Sequence, residues 1–314
     1  MSLTSGYRPK PVLSQLELRC PPLPQTLMEA LELMEHPENL EVRPVTRIVQ
    51  RDPFVVARLL HIANSAYYGL RNTISSAERA VVMLGPVAVV GIVIGMNMLK
   101  LRSVFEGRVN EIINKLTEHG IATAFLARHL LEGPPRSNQP LFERIGASFT
   151  AGLLHDFGKL VLIYNFPDKA AALYDQKIIP IHLKGDEPLE REQLIFGYDH
   201  IEAGEYAARK LGFAEELTCA IQFHHHPEAC GEHTGNRRLV WGVAAANVAA
   251  KMLGYHFERP LPIEEATSLP IWQQLIENRY VAHHTPEALI EDLFAQKPHL
   301  QAYLDALMVD SDDT

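Results

Sequence analysis

Apolar residues recur along this chain at steps of three and four rather than two, which predicts helices almost end to end and no convincing alternating strand. The clearest case is VNEIINKLTEHGIATAFLARHLLE at 109–132, where Ile112, Leu116, His119, Thr123, Leu126 and Leu130 form one inward stripe. PPLPQTLMEALELM begins a helix after a Pro-rich turn, and Asp52-Pro53 divides VTRIVQ from FVVARLLHIANSAYY. Ser75 with Glu78 reads as a capping box before the next helix, and Gly85-Pro86 as the stop of that helix and the start of another. GPPRSNQP at 133–140 is a loop by composition, and AGLLHDFGKLVL at 151–162 reads as a single apolar helix interrupted only by its His-Asp pair. A segment from Pro167 to Gln176 is followed by a loop around IPIHLKGDEP, and then by helices at about 200–211, 214–225 and 238–253. Asp199 and Glu202 make a second capping box. The expected fold is all-α: an N-terminal helical bundle over 1–105, a second helical unit over 106–256, and short appended helices with the acidic tail VDSDDT over 257–314.

One apolar run needs a membrane test. Residues 80–99, AVVMLGPVAVVGIVIGMNML, have the length and composition of a span, but Gly85-Pro86 breaks them, and two buried helices are expected instead. The chain of 314 residues, 47% hydrophobic and 21% charged, is long enough to bury a large core. Its formal net charge of −9 works against a nucleic-acid or anionic-lipid partner, since both depend on clustered Lys and Arg. Cys20, Cys219 and Cys230 are an odd number without CxxC spacing, which fits a reducing compartment, and MSLTSGYRPKPVLSQ lacks the apolar centre of a signal peptide. A cytoplasmic address follows as an expectation.

The polar residues on apolar faces carry the chemistry. His119 faces inward on its helix, and Phe213, Leu217, Ala220 or Ile221 share a face with His224, with His225 a further 100° round. His200 falls in the first turn of its helix above Ala203, Gly204 and Ala207, a small-residue face that admits a close neighbour. Four helices thus bring His119, His155 with Asp156, His200, and His224 or His225 toward one interior. Neutral imidazoles and a carboxylate are the donors that borderline divalent metals take, and several inward imidazoles are costly to bury without a shared purpose. The plainer alternative treats each as a hydrogen-bonded core residue, with Asp156 paired to Lys159 or a histidine. His129, His226 and His233 are expected on the surface. No P-loop, GxGxxG or GxSxG is present, and the cysteines have no adjacent base.

The stretches PPLPQTL, DPFVVARLLHIANSAYYGL, ISSAERAVVMLG, GLLHDFGKL, DHIEAG and HHHPE together resemble the HDOD family, over roughly residues 16–255. These are bacterial signalling domains related to HD-type metal-dependent phosphohydrolases. The resemblance implies two helical subdomains, the second HD-like, and an output or regulatory role in signal transduction without catalysis. It also implies a ligand set: His119, His155, Asp156, His200 and His224 or His225 fall where phosphohydrolases similar to the HD-GYP class place theirs. The closing carboxylate of such enzymes is replaced by neutral Asn247, and HHHPEACGEH stands where the GYP signature would follow.

Two functions are therefore expected in competition. One is a regulatory module that binds a protein partner or a small ligand, with a partly retained metal site; a homodimer is compatible with it. The other is a metal-dependent phosphohydrolase or phosphodiesterase using iron, manganese or zinc, as one ion or two, with Lys159 as a phosphate contact. Asn247 and the missing GYP favour the first, and the full histidine set favours the second. With no receiver, kinase or DNA-binding segment in the sequence, the input signal is expected from a separate molecule.

Overall fold

The computed structural model describes residues 18–21, 23–33, 40–64, 73–100, 105, 107–132, 147–174, 188–231, 235–256 and 261–308. Among these residues there are helices and no strand. The expected loops at 133–140 and around IPIHLKGDEP, His233, the YYG stretch after Asn64 and the VDSDDT tail lie outside them, apart from Pro188 at the end of the second loop.

The first helices are α1 (Gln25–Leu33), α2 (Val42–Gln50), α3 (Pro53–Ala63), α4 (Ala77–Leu84) and α5 (Pro86–Lys100). Asp52 caps α3 by accepting from the backbone N–H of Phe54, with Pro53 at the first helical position. The cap of α4 is Ser76, not the expected Ser75: its extended backbone lets the hydroxyl accept from the N–H of Arg79, which places Ser75 outside the helix. Gly85, at φ 87°, ends α4 in a conformation that suits glycine, and Pro86 opens α5. The axes of Ala77–Leu84 and Val89–Asn97 meet at 112°, and no single described helix is long and apolar enough to cross a membrane. Instead α5 is wrapped by α1, α2, α3 and α4, which buries Val89, Val90, Ile92, Val93, Ile94 and Met96. A helix apolar on all sides belongs in such an interior.

Next come α6 (Arg108–Glu132), α7 (Ala147–Leu154), α8 (Phe157–Asn165), α9 (Pro167–Tyr174), α10 (Pro188–Phe196), α11 (His200–Lys210), α12 (Glu215–Phe223) and α13 (Arg237–Met252). The His-Asp pair is therefore not inside one helix, as its apolar flanks suggest, but in a break between α7 and α8. Helix α10 has no counterpart in the sequence reading, because PLEREQLIF shows no sustained apolar stripe. Glycines allow the helices to cross closely. A Cβ on Gly152 would lie 2.7 Å from Ala124 Cα in α6, and one on Gly158 would lie 1.7 Å from the His200 carbonyl oxygen in α11. Gly204, within the small-residue face of α11, meets the backbone of Gly158.

The last helices are α14 (Ile263–Thr267), α15 (Ile271–Glu277), α16 (Pro286–Ala295) and α17 (Lys297–Met308). They are more than appendages. Trp272, Leu289 and Leu300 are fully buried, and α17 packs on both α3 and α6, so it joins the N-terminal helices to the second unit. His129, expected on the surface, is half-buried because α16 covers it, and its Nε2 lies 2.7 Å from Asp292 Oδ2. His226 is also only partly exposed.

Candidate metal centre

Helix ends build the site. α7 stops at Leu154, and the His155 imidazole turns back so that its Nδ1 donates to the carbonyl of Gly152 at 2.7 Å. α12 stops at Phe223 in the same way, with His224 Nδ1 donating to the carbonyls of Ile221 at 3.0 Å and Ala220 at 3.2 Å. In both cases the ring satisfies carbonyls that a helix C-terminus leaves without partners. Asp156 is the residue before α8 but makes no side-chain cap, which leaves its carboxylate for the interior. His200 opens α11, where Asp199 and Glu202 form the expected capping box. His119 comes from the middle of α6 and donates from Nδ1 to the carbonyl of Tyr255 at 2.8 Å.

Glu192 of α10 is the main residue that sequence reasoning missed. Its Oε2 accepts from both Nδ1 (2.6 Å) and the backbone N–H (2.8 Å) of His200, while Oε1 accepts from the Tyr174 hydroxyl at 2.7 Å. The carboxylate is fully buried, 0% exposed, with its known partners all inside the fold. The only sequence signal was an acidic residue eight positions before a candidate ligand, which no periodicity singles out.

These bonds decide where the protons are. A carbonyl or carboxylate oxygen can only accept, so each Nδ1 of His119, His155, His200 and His224 carries the hydrogen. In a neutral ring Nε2 then presents a lone pair, and all four Nε2 atoms face Asp156. His119 and His155 Nε2 lie 3.7 and 3.5 Å from Oδ2, and His200 and His224 Nε2 lie 3.4 and 3.5 Å from Oδ1. His200 and His224 Nε2 are 3.4 Å apart. The Nε2–carboxylate spacings exceed ordinary hydrogen bonds, which cluster near about 2.9 Å. They match the separation of two donors each about 2.1 Å from one ion. His155 Nε2, His225 Nε2, Asp156 Oδ1 and Asn247 Oδ1 are buried without hydrogen-bond partners.

Donor atoms of Asp156, His200, His224 and His225 lie within 4.8 Å of one another, and so do those of His119, His155 and Asp156. Asp156 thus belongs to two groups, one on each carboxylate oxygen. Lys159 is buried, with its Nζ 3.0 Å from Asp156 Oδ2, the ion pair weighed as the plainer alternative in the sequence. Burial drives the His119 imidazole down to about 4 against the pull of Asp156. Burial also lowers His155, His224 and His225. His200 is opposed by burial too, but the Glu192 carboxylate outweighs it and raises this group. Burial acts to raise Asp156, yet Lys159 and the histidines hold it well below the usual carboxylate range. The site thus combines an anion with four imidazoles that burial favours neutral, His119, His155, His224 and His225, and one, His200, that Glu192 favours charged; a divalent metal requires its histidine ligands neutral and would displace that proton.

Comparison with known proteins places this chain in a family. The profile of the HDOD domain matches residues 20–227. The chain belongs to the HDOD family. A crystal structure of an HDOD domain protein of unknown function from Geobacter sulfurreducens superposes with a TM-score of 0.72 at 21% identity, covering 93% of this chain and 94% of that one. A protein from Shewanella amazonensis SB2B, provisionally named a phosphohydrolase, gives 0.63 at 23% identity, with 94% and 96% covered. One from Marinobacter aquaeolei VT8, provisionally named a signal transduction protein, gives 0.60 at 19% identity, with 95% and 64% covered. An uncharacterized protein of Treponema pallidum (strain Nichols) is 26% identical over 241 residues, which span 74% of this chain and 42% of that relative. The HDOD match includes every candidate ligand from His119 to His225, whereas Asn247 and the C-terminal helices lie beyond it.

Proposed function

We propose that this HDOD protein is a regulatory module of bacterial signal transduction, acting by binding a protein partner or a small ligand, with its helices organised around a divalent-metal centre. The observation that carries the metal is the convergence of four imidazole Nε2 atoms on one carboxylate at 3.4–3.7 Å. The Lys159 ammonium meets only Oδ2, and Oδ1 and the His155 and His225 Nε2 atoms are buried without hydrogen-bond partners, which a bound cation would supply. Asp156, His119, His155, His200, His224 and His225 would hold it, with Asn247 a weaker neutral candidate, and iron, manganese and zinc all suit this donor set. A divalent ion supplies Lewis acidity and a fixed positive charge where it is bound.

Regulation rather than hydrolysis is supported by closure. His119, His155, Asp156, Lys159, His200 and His224 are each at most 4% exposed, and His225 alone of the candidate ligands is partly exposed. Catalytic metal sites keep a position open to substrate, whereas structural ones are enclosed by protein. Lys159, the candidate phosphate contact, is committed to Asp156. The relative named for signal transduction has the same fold, and so does the one named a phosphohydrolase. A metal-dependent phosphohydrolase is retained as the second reading because the histidine set is complete on both sides of Asp156.

The test is elemental mass spectrometry on protein purified without chelator, with Asp156→Ala and His155→Ala beside it, followed by a screen of phosphoesters including cyclic dinucleotides. Bound divalent metal in the parent, lost in Asp156→Ala, and no turnover are expected. Turnover that both substitutions abolish would establish the hydrolase instead, and background metal in all samples would remove the metal centre.

A further inference from the structure

The two oxygens of Asp156 have different surroundings. Oδ2 faces His119 and His155 and is already 3.0 Å from the Lys159 ammonium. Oδ1 faces His200 and His224 and has no hydrogen-bond partner. The Oδ1 group also contains His225, whose Nε2 is buried and unpaired. Its His200 is held from behind by Glu192, whose carboxylate fixes the ring and makes Nε2 a more basic donor, as a carboxylate behind a ligating histidine does elsewhere.

We infer that the centre takes one divalent cation, on the Oδ1 side among His200, His224, His225 and Asp156, and that the Lys159 ammonium occupies the place a second ion would need beside Oδ2. The inference rests on the metal reading above and narrows it from one or two ions to one at a stated position.

Three observations lead there. First, the Oδ1 group offers four donors, enough to complete a tetrahedral shell, while the Oδ2 group offers three and shares its carboxylate oxygen with an ammonium. Second, charge limits the count. Among the described residues Asp156 is the single carboxylate in the donor groups, and Glu192 stands behind His200; one divalent ion and the ammonium exceed these two negative charges by one. A second ion would raise that excess to three in a site whose ligands other than His225 are buried, which burial penalises heavily. Third, neutral Asn247 does not make good the deficit, since an amide oxygen is a weaker donor than a carboxylate. Lys159 is held in place by sequence as well as charge: it is three residues after Asp156 on the first turn of α8, and its own N–H bonds the Asp156 carbonyl at 2.9 Å.

The experiment is a titration of metal-free protein with Zn²⁺ in the presence of a competing chelator, with stoichiometry read by elemental mass spectrometry after gel filtration. The parent is expected to hold one equivalent, His119→Ala to keep it, and His200→Ala to lose at least tenfold in affinity. Lys159→Met is expected to take a second equivalent and Lys159→Arg to stay at one, with circular dichroism confirming the fold. Co²⁺ in the unaltered protein gives an independent reading, expected as the single intense visible absorption of one four-coordinate ion. Two equivalents in the parent, an ion that follows His119 instead of His200, or a folded Lys159→Met still limited to one would each overturn the inference while leaving the metal centre intact. No bound ion in the parent would overturn the metal reading itself, and with it the inference.

Discussion

His119 shows how one residue can be legible in sequence and still depend on a distant partner. Its place on the Ile112–Leu130 stripe of α6 put it inside, and it is 1% exposed. Its tautomer, however, comes from the Tyr255 carbonyl, which lies beyond α13. Burial then lowers the imidazole to about 4. In the metal-free protein this sets a pH dependence. A histidine in the unfolded chain titrates near about 6.5, so below that pH the unfolded state binds a proton that the folded state does not. The stability present above pH 6.5 is therefore lost as pH falls toward about 4. The His119 share of the loss is about 2 kcal/mol at pH 5. His155, His224 and His225 act in the same direction, and His200, raised by Glu192, acts against them. Urea midpoints of chelated protein at pH 7.5 and pH 5.0 measure this, with a clear drop at the lower pH expected and an unchanged midpoint contradicting it.

Among elements, the decisive feature is where helices stop. The apolar run AGLLHDFGKLVL looks continuous because both flanks are core, yet it breaks at His155-Asp156, and the break aims both side chains inward. Periodicity is blind to this, since a helix end is set by which groups satisfy its last carbonyls and first N–H groups. The capping box at Asp199 and the Gly85-Pro86 corner were readable because their chemistry is local. Helix α8 reaches α11 only because position 158 lacks a side chain. A methyl there would sit 1.7 Å from the His200 carbonyl oxygen, which belongs to backbone and cannot swing away. Gly158→Ala is expected to cost at least about 3 kcal/mol, at the upper end of overpacking, and to displace His200 from the site. Urea unfolding checks the first expectation and Zn²⁺ affinity the second; a variant matching the parent in both would refute the close crossing.

For the molecule as a whole, the C-terminal helices change the picture most. Read from sequence as short additions, they supply Trp272, Leu289, Leu300 and Leu304 to a hydrophobic core that runs from Leu18 to Leu307. α17 lies against both α3 and α6, and Tyr303 packs against Phe125 of α6 and Phe149 of α7. The Tyr255 hydroxyl, whose residue orients His119, donates to Gln301 of α17 at 2.8 Å. A cavity at the buried Leu300 should therefore weaken everything together. Leu300→Ala is expected to destabilise the protein by about 2–5 kcal/mol in a single transition. Chemical denaturation followed by circular dichroism and tryptophan fluorescence tests it, since separate transitions would mean that the C-terminal helices fold apart from the rest.

By itself the sequence determined that the chain is all-α, which faces of its long helices are buried, and which histidines and aspartate turn inward. Those properties follow from local spacing and from the cost of leaving apolar surface in water. Only the tertiary structure decided which imidazole nitrogen faces Asp156, that Glu192 stands behind His200, and that Lys159 shares one carboxylate oxygen while the other is left unpaired. The first two are contacts between groups that the chain brings together from different helices, and neither periodicity nor composition carries information about such pairings; the Asp156–Lys159 pair is local and was an open alternative in the sequence, but which oxygen it takes depends on the histidines around it.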